Sequence, residues 1–153
     1  MKLSAKKILI LADWLVKWGI YLQNELTFAP KKLKAYKQRE IILVDFGFNV
    51  RSEFGGRHYA VVLEKDNNPR SGVIMVAPIS SYAPEKGCHS ACIDLGLGFI
   101  NNHDKGATVV VNQIRYVSKM RIEKPKTSLE GTQRMEKDNF EELVKRIQRK
   151  ILP

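Results

Sequence analysis

A small antiparallel β-barrel flanked by a helix at each end is the fold class this sequence predicts, on three observations. Short apolar runs recur at close spacing from Glu40 to Val117, separated by clusters of turn-forming residues. Apolar residues fall at helical spacing on either side of that region. The 153-residue length suits one compact domain with an appendage.

The first element spans about Ser4 to Thr27, with Leu11, Trp14, Leu15, Trp18, Tyr21 and Leu22 recurring at helical spacing and Ser4 placed to cap the start. Pro30 ends it, and Lys31 to Lys37 reads as a basic linker. Five strands follow, at Ile41–Phe46, Tyr59–Leu63, Gly72–Ile79, Ala91–Leu95 and Ala107–Val111, with Ile114–Val117 continuing the last. Gly55-Gly56, Asp66 to Pro69 and Asn101 to Gly106 supply turns. Many short strands of this kind favour a closed or half-closed barrel. A final helix carries the stripe Phe140, Leu143, Val144, Ile147 and Ile151, with Lys145, Arg146, Arg149 and Lys150 beside it near the negative end of the helix dipole. The expected division is a helix and linker at 1–38 and a barrel domain at 39–153.

Hydrophobic residues make up 44% of the chain, enough to bury a core. The formal charge of +10 favours polyanionic partners without choosing among RNA, DNA, an acidic protein and a membrane surface. Ile8–Leu22 is interrupted by Asp13 and Lys17, is shorter than the roughly 20 residues of a spanning helix, and lacks a following small-x-small cleavage site. No membrane insertion is expected. Cys88 and Cys92 are too close along one strand for good disulfide geometry, so a cytoplasmic protein is the simpler reading.

Several segments resemble one family in both order and spacing. Ile42-Leu43-Val44-Asp45-Phe46, then Ser52-Glu53-Phe54-Gly55-Gly56, then Ala60-Val61-Val62-Leu63 are similar to the opening of MazF/PemK toxins. Val76-Ala77-Pro78-Ile79-Ser80-Ser81 resembles the family's V-P-x-T-[TS]. Asn112-Gln113-Ile114-Arg115, with Lys119 and Arg121, resembles its D-Q-[IV]-R-x-[LIV]-x-K-x-R. The likeness covers roughly Glu40 to Pro153. It implies an SH3-like barrel with a C-terminal helix, a homodimer, and a metal-independent endoribonuclease that cuts single-stranded RNA at short motifs. It also implies neutralisation by an antitoxin, and no cofactor.

Cutting RNA with its own 2′-hydroxyl requires a group to take that proton, cations to stabilise the phosphoryl oxygens, and a proton for the leaving 5′-oxygen. The planar donors of arginine match phosphate oxygens. The resemblance assigns the work to an arginine in G-x-R-P and a hydroxyl after V-P-x. The hydroxyl maps onto Ser80. The arginine does not map: Gly56-Arg57-His58-Tyr59 sets His58 at its position, Tyr59 at the proline, and Arg57 one place early. Along a strand that displacement turns a side chain to the opposite face. The expected catalytic set is His58 for the proton, Arg57 (or Arg115) for the phosphoryl charge, and Ser80. Ser52, Ser81, Asn112, Gln113 and Arg115 are the expected substrate-binding residues.

Without the family context each has a plainer role: His58 capping a turn, Arg57 solvated, Ser80-Ser81 opening a turn, Asn112-Gln113 ending a strand, with Gln113 steadying the loop. Cys88, His89, Cys92 and His103 lack the second pair that a tetrahedral zinc site needs, so no metal site is expected. Trp14, Leu15 and Trp18 are expected to pack on the barrel or extend a dimer interface. The other two readings are a membrane-surface helix, and self-inhibition or antitoxin docking with the basic linker hanging over the RNA groove. The rival functions are a degenerate relative that binds without cutting, motivated by the displaced arginine, and a basic RNA-binding accessory protein.

Overall fold

The computed structural model describes residues 4–83, 92–97 and 105–152, with backbone alone at 92, 96, 97 and 151. Helix α1 runs Ala5–Asn24 and helix α2 Lys137–Ile151. Between them lie β1 Ile41–Asp45, β2 Arg57–Val62, β3 Val73–Tyr82, β4 Cys92–Leu97, β5 Gly106–Val110, β6 Arg115–Ser118 and β7 Ile122–Lys124. The sheet has the order β4-β5-β3-β2-β1-β7, and β6 joins the open edge of the first half of β3. All the strand pairs are antiparallel. The protein is therefore mainly β with flanking helices, as the sequence predicts.

Strand alternation divides the core. Ile42, Val44, Ala60, Val62, Ile74 and Val76 point into the barrel with Phe46, Val117 and Ile122. Ile41 and Val61 point the other way, towards Phe140 and Leu143 of α2, which cover a second cluster with Ile79 and Val109. The α2 stripe is therefore the face the sequence marks out, with Ile151 outside the described side chains.

Three local expectations are corrected. β3 does not stop at Ile79: Ser80, Ser81 and Tyr82 stay extended because β5 pairs with them, Ser80 opposite Thr108. Ile114–Val117 does not continue the preceding strand. A 3-10 turn at Val111–Gln113 redirects the chain, so β6 lies against the start of β3, Ile74 opposite Val117. The Lys31–Lys37 segment is not a free linker. Tyr36 is buried, its hydroxyl donating to the Pro125 carbonyl at 2.8 Å, and Lys34 pairs with the buried Glu40 at 2.8 Å. Burial raises the Tyr36 pKa, so the ring stays neutral there.

Ser4 caps α1, accepting from the Lys7 amide at 3.4 Å. No residue of this helix is buried. It rests on the barrel through Trp14, which packs on Gly47, and through Lys17, 3.5 Å from the Asp45 carboxylate. The Arg121 guanidinium lies 5.1 Å from the Trp14 ring. Trp18 is about half exposed and lines a hollow with Met120 and Arg121, whereas Leu15 is half exposed and does not pack closely on the barrel, which leaves the dimer contact as its expected place. Among the described residues no helix is long and apolar enough to cross a membrane.

Candidate functional site

The loop between β1 and β2 is shaped before any chemistry is considered. Gly47 and Gly56 both take left-handed φ values, 80° and 81°, that other residues adopt at a cost. Phe46 donates to the Gly56 carbonyl at 2.8 Å and Gly56 to the Gly47 carbonyl at 2.7 Å, closing the loop's neck. Gln113 then holds its far side. Its Oε1 accepts from the Phe54 amide at 3.0 Å, and its Nε2 donates to the Ser52 carbonyl at 3.1 Å. Arg115 donates to the Phe54 carbonyl at 3.1 Å and to Gln113 Oε1 at 3.0 Å.

This clamp fixes Phe54, and Phe54 fixes His58: the rings are 4.5 Å apart, and Phe54 meets Phe46 edge-on at 5.4 Å. His58 is half-buried in β2 and hydrogen-bonds the backbone of Ile79 on β3. Burial pushes its pKa below the ordinary 6.5, against the opposing effect of that hydrogen bond. The imidazole is thus predominantly neutral at pH 7, the form that accepts a proton.

Beside His58 is a cleft of about 380 Å³, lined by Arg57, His58, Tyr59, Ser81, Lys105 and Lys124 among others. Strand β2 pairs with β3 from Ala60–Pro78 through Val62–Val76, short of the cleft end. Arg57 is exposed and paired with Glu123. A second hollow of about 370 Å³ adjoins the first and shares Tyr59 and Lys124 with it, continuing towards Gln133. The Lys124 ammonium lies 5.9 Å from the Tyr59 ring centre.

Arg57, His58 and Ser81 all line one cleft, although along β2 the His58 side chain takes the face of Val44 and Ala60, against Phe54, and Arg57 takes the face of Tyr59. Ser80 is not among the residues lining the cleft. It alternates with Ile79 and Ser81, is half-buried, and its hydroxyl donates to the Ser81 carbonyl at 3.4 Å. Gln113 and Arg115 brace the loop behind His58, Ser52 gives its carbonyl to that brace, and Asn112 is exposed on the 3-10 turn. Lys119 and Arg121 also face inward to carbonyls: Lys119 is 2% exposed and donates to the Asn68 carbonyl at 3.0 Å, and Arg121 donates to that of Phe46 at 3.3 Å. Lys105, Lys124 and Tyr59 are cleft residues that the sequence reading missed. Only the general excess of basic residues hinted at the two lysines. Cys88, His89 and His103 lie outside the described residues.

The molecule is thus a small β-barrel protein with a hollow lined by Arg57, Lys105 and Lys124 beside a half-buried histidine. The model of the PemK-like, MazF-like toxins of type II toxin-antitoxin systems matches residues 37–150, and the chain belongs to that family. Among solved structures, MazF (Form-I) from Deinococcus radiodurans is similar with a TM-score of 0.57 at 15% identity, over 77% of this chain and 97% of that one. That likeness is one of fold. A search of curated proteins finds no match. Helix α1 precedes the family match.

Proposed function

We propose that this chain is a toxin-type endoribonuclease that cuts single-stranded RNA without a metal ion and is neutralised by a cognate antitoxin. The observation that carries the reading is the cleft in which His58, its pKa lowered by burial, stands beside Arg57, Lys105 and Lys124. Neutral His58 takes the 2′-hydroxyl proton as the 2′-oxygen attacks the adjacent phosphorus. The bond from phosphorus to the 5′-oxygen breaks, leaving a 2′,3′-cyclic phosphate and a 5′-hydroxyl. Arg57 stabilises the charge gathering on the phosphoryl oxygens, sharing its guanidinium with Glu123. One of the two lysines gives the leaving 5′-oxygen its proton, and the other meets a flanking phosphate. Arg115 is proposed as a brace rather than a phosphate ligand, because its Nη2 donates to both Phe54 and Gln113.

The resemblance points to Ser80 for the hydroxyl and the cleft lining points to Ser81. Separate alanine variants assign the role. The adjoining hollow at Tyr59 and Lys124 extends the groove and offers an aromatic face to a neighbouring base.

The test is incubation of a long, unstructured RNA with purified protein in excess EDTA. Discrete cuts ending in cyclic phosphate support the proposal. Salt-sensitive RNA binding with no cleavage would move the chain to the non-cutting reading, which the displaced arginine motivates.

A further inference from the structure

Helix α1 meets the barrel along one side, through the rings of Trp14 and Tyr21 and the Lys17 ammonium, and leaves its other side uncovered. Ile8, Leu9, Leu15, Val16, Ile20 and Leu22 are each about half exposed or more, Leu9 reaching 71%. A helix of a water-soluble protein ordinarily turns such residues to a core, so an uncovered face of this size marks a contact. We infer that this face pairs antiparallel with the α1 of a second copy of the chain.

The sequence of the face specifies that occupant. Ile8, Leu15 and Leu22 recur every seven residues, and Ala5, Ala12 and Gly19 recur in step three residues before each. A parallel pairing stacks large on large and small on small, giving layers of unequal thickness. An antiparallel one sets Ala12 of one copy against Leu15 of the other, Ile8 against Gly19, and Ala5 against Leu22, so every layer joins one large residue to one small. The register is self-complementary, as a two-fold contact requires, because each layer recurs with the copies exchanged. Space is available: a side-chain carbon added at Gly19 meets nothing within 4 Å.

Charge agrees. The seam carries no ionic group, and antiparallel pairing sets the positive end of each helix dipole beside the negative end of the other. The 20-residue helix is about 30 Å long, and a seam of that length flanked by Leu9 and Val16 approaches the roughly 1,000 Å² of a specific contact. The seam lies outside the matched residues 37–150 and is independent of any pairing made by the barrel.

The test is sedimentation equilibrium of the full chain and its variants. Leu15→Glu is expected to halve the mass of the wild-type particle with an unchanged thermal melt, since Leu15 lies on the outward side. Ala12→Leu and Leu15→Ala, both good helix formers, each thicken or empty the central layers and are expected to weaken association by about tenfold or more. The double variant, which restores one large and one small residue per layer, is expected to recover it. An unchanged mass for Leu15→Glu would overturn the inference, as would a double variant no better than the single ones. So would a wild type that stays unpaired but binds phosphatidylglycerol vesicles through this helix.

Discussion

His58 links the local fold to the proposed chemistry through burial. Because burial lowers its pKa, the folded chain prefers the neutral ring. The sign follows: this preference adds stability that is complete above the unfolded value near 6.5 and is lost as pH falls through the lower folded value. The same titration governs the base. Cleavage is expected to lose rate on the acid side with an apparent pKa below 6.5, which a pH profile of single-turnover cleavage measures. Gln113 acts at one remove, through the loop. Removing its two hydrogen bonds in Gln113→Ala is expected to cost about 1–3 kcal/mol in urea unfolding and to lower cleavage without abolishing it. A loss of stability below about 0.5 kcal/mol would show that the loop stands without its brace.

Among the elements, α2 and α1 behave oppositely. Phe140 and Leu143 of the α2 stripe are buried, so Leu143→Ala is expected to cost about 2–5 kcal/mol in a denaturant melt. Helix α1 is held by few contacts, of which Trp14 on Gly47 is the tightest: a methyl at Gly47 falls 2.5 Å from the indole. Gly47→Ala also pays about 1–2 kcal/mol for its left-handed backbone. It is expected to free α1, seen as faster tryptic cutting at the exposed Lys31 and Lys32, whereas unchanged cutting would show that Trp14 does not anchor the helix.

The elements were largely legible because periodicity and turn residues report burial directly: β1, α1 and α2 lie where their patterns put them. What escaped depends on neighbours distant in sequence. Ser80–Tyr82 looks like a turn until β5 supplies partners, and Ile114–Val117 looks continuous with β5 until the 3-10 turn sends it to β3. Tyr36 lies in a lysine-rich run whose charge hides one buried ring. The same limit applies to the cleft. His58 and Arg57 are adjacent in sequence, but Lys105 and Lys124 reach them only through the packing of β5 and β7.

On the scale of the whole molecule, the +10 charge favours a polyanionic partner. RNA affinity is expected to fall steeply with salt. Lys124→Ala is expected to reduce the slope of log affinity against log salt by about one, and a slope unchanged by the substitution would remove Lys124 from the groove. Fold alone does not confer this activity, since small barrels serve many binding roles. The proposed chemistry falls to His58, which stands where the family resemblance places an arginine.

The most direct test is the cleavage rate of one single-stranded RNA in EDTA by the wild type and by His58→Ala. The account predicts cyclic-phosphate ends from the wild type and a loss of about 10²–10⁴-fold in the variant, the usual contribution of a positioned base. Undiminished cutting by His58→Ala would contradict it.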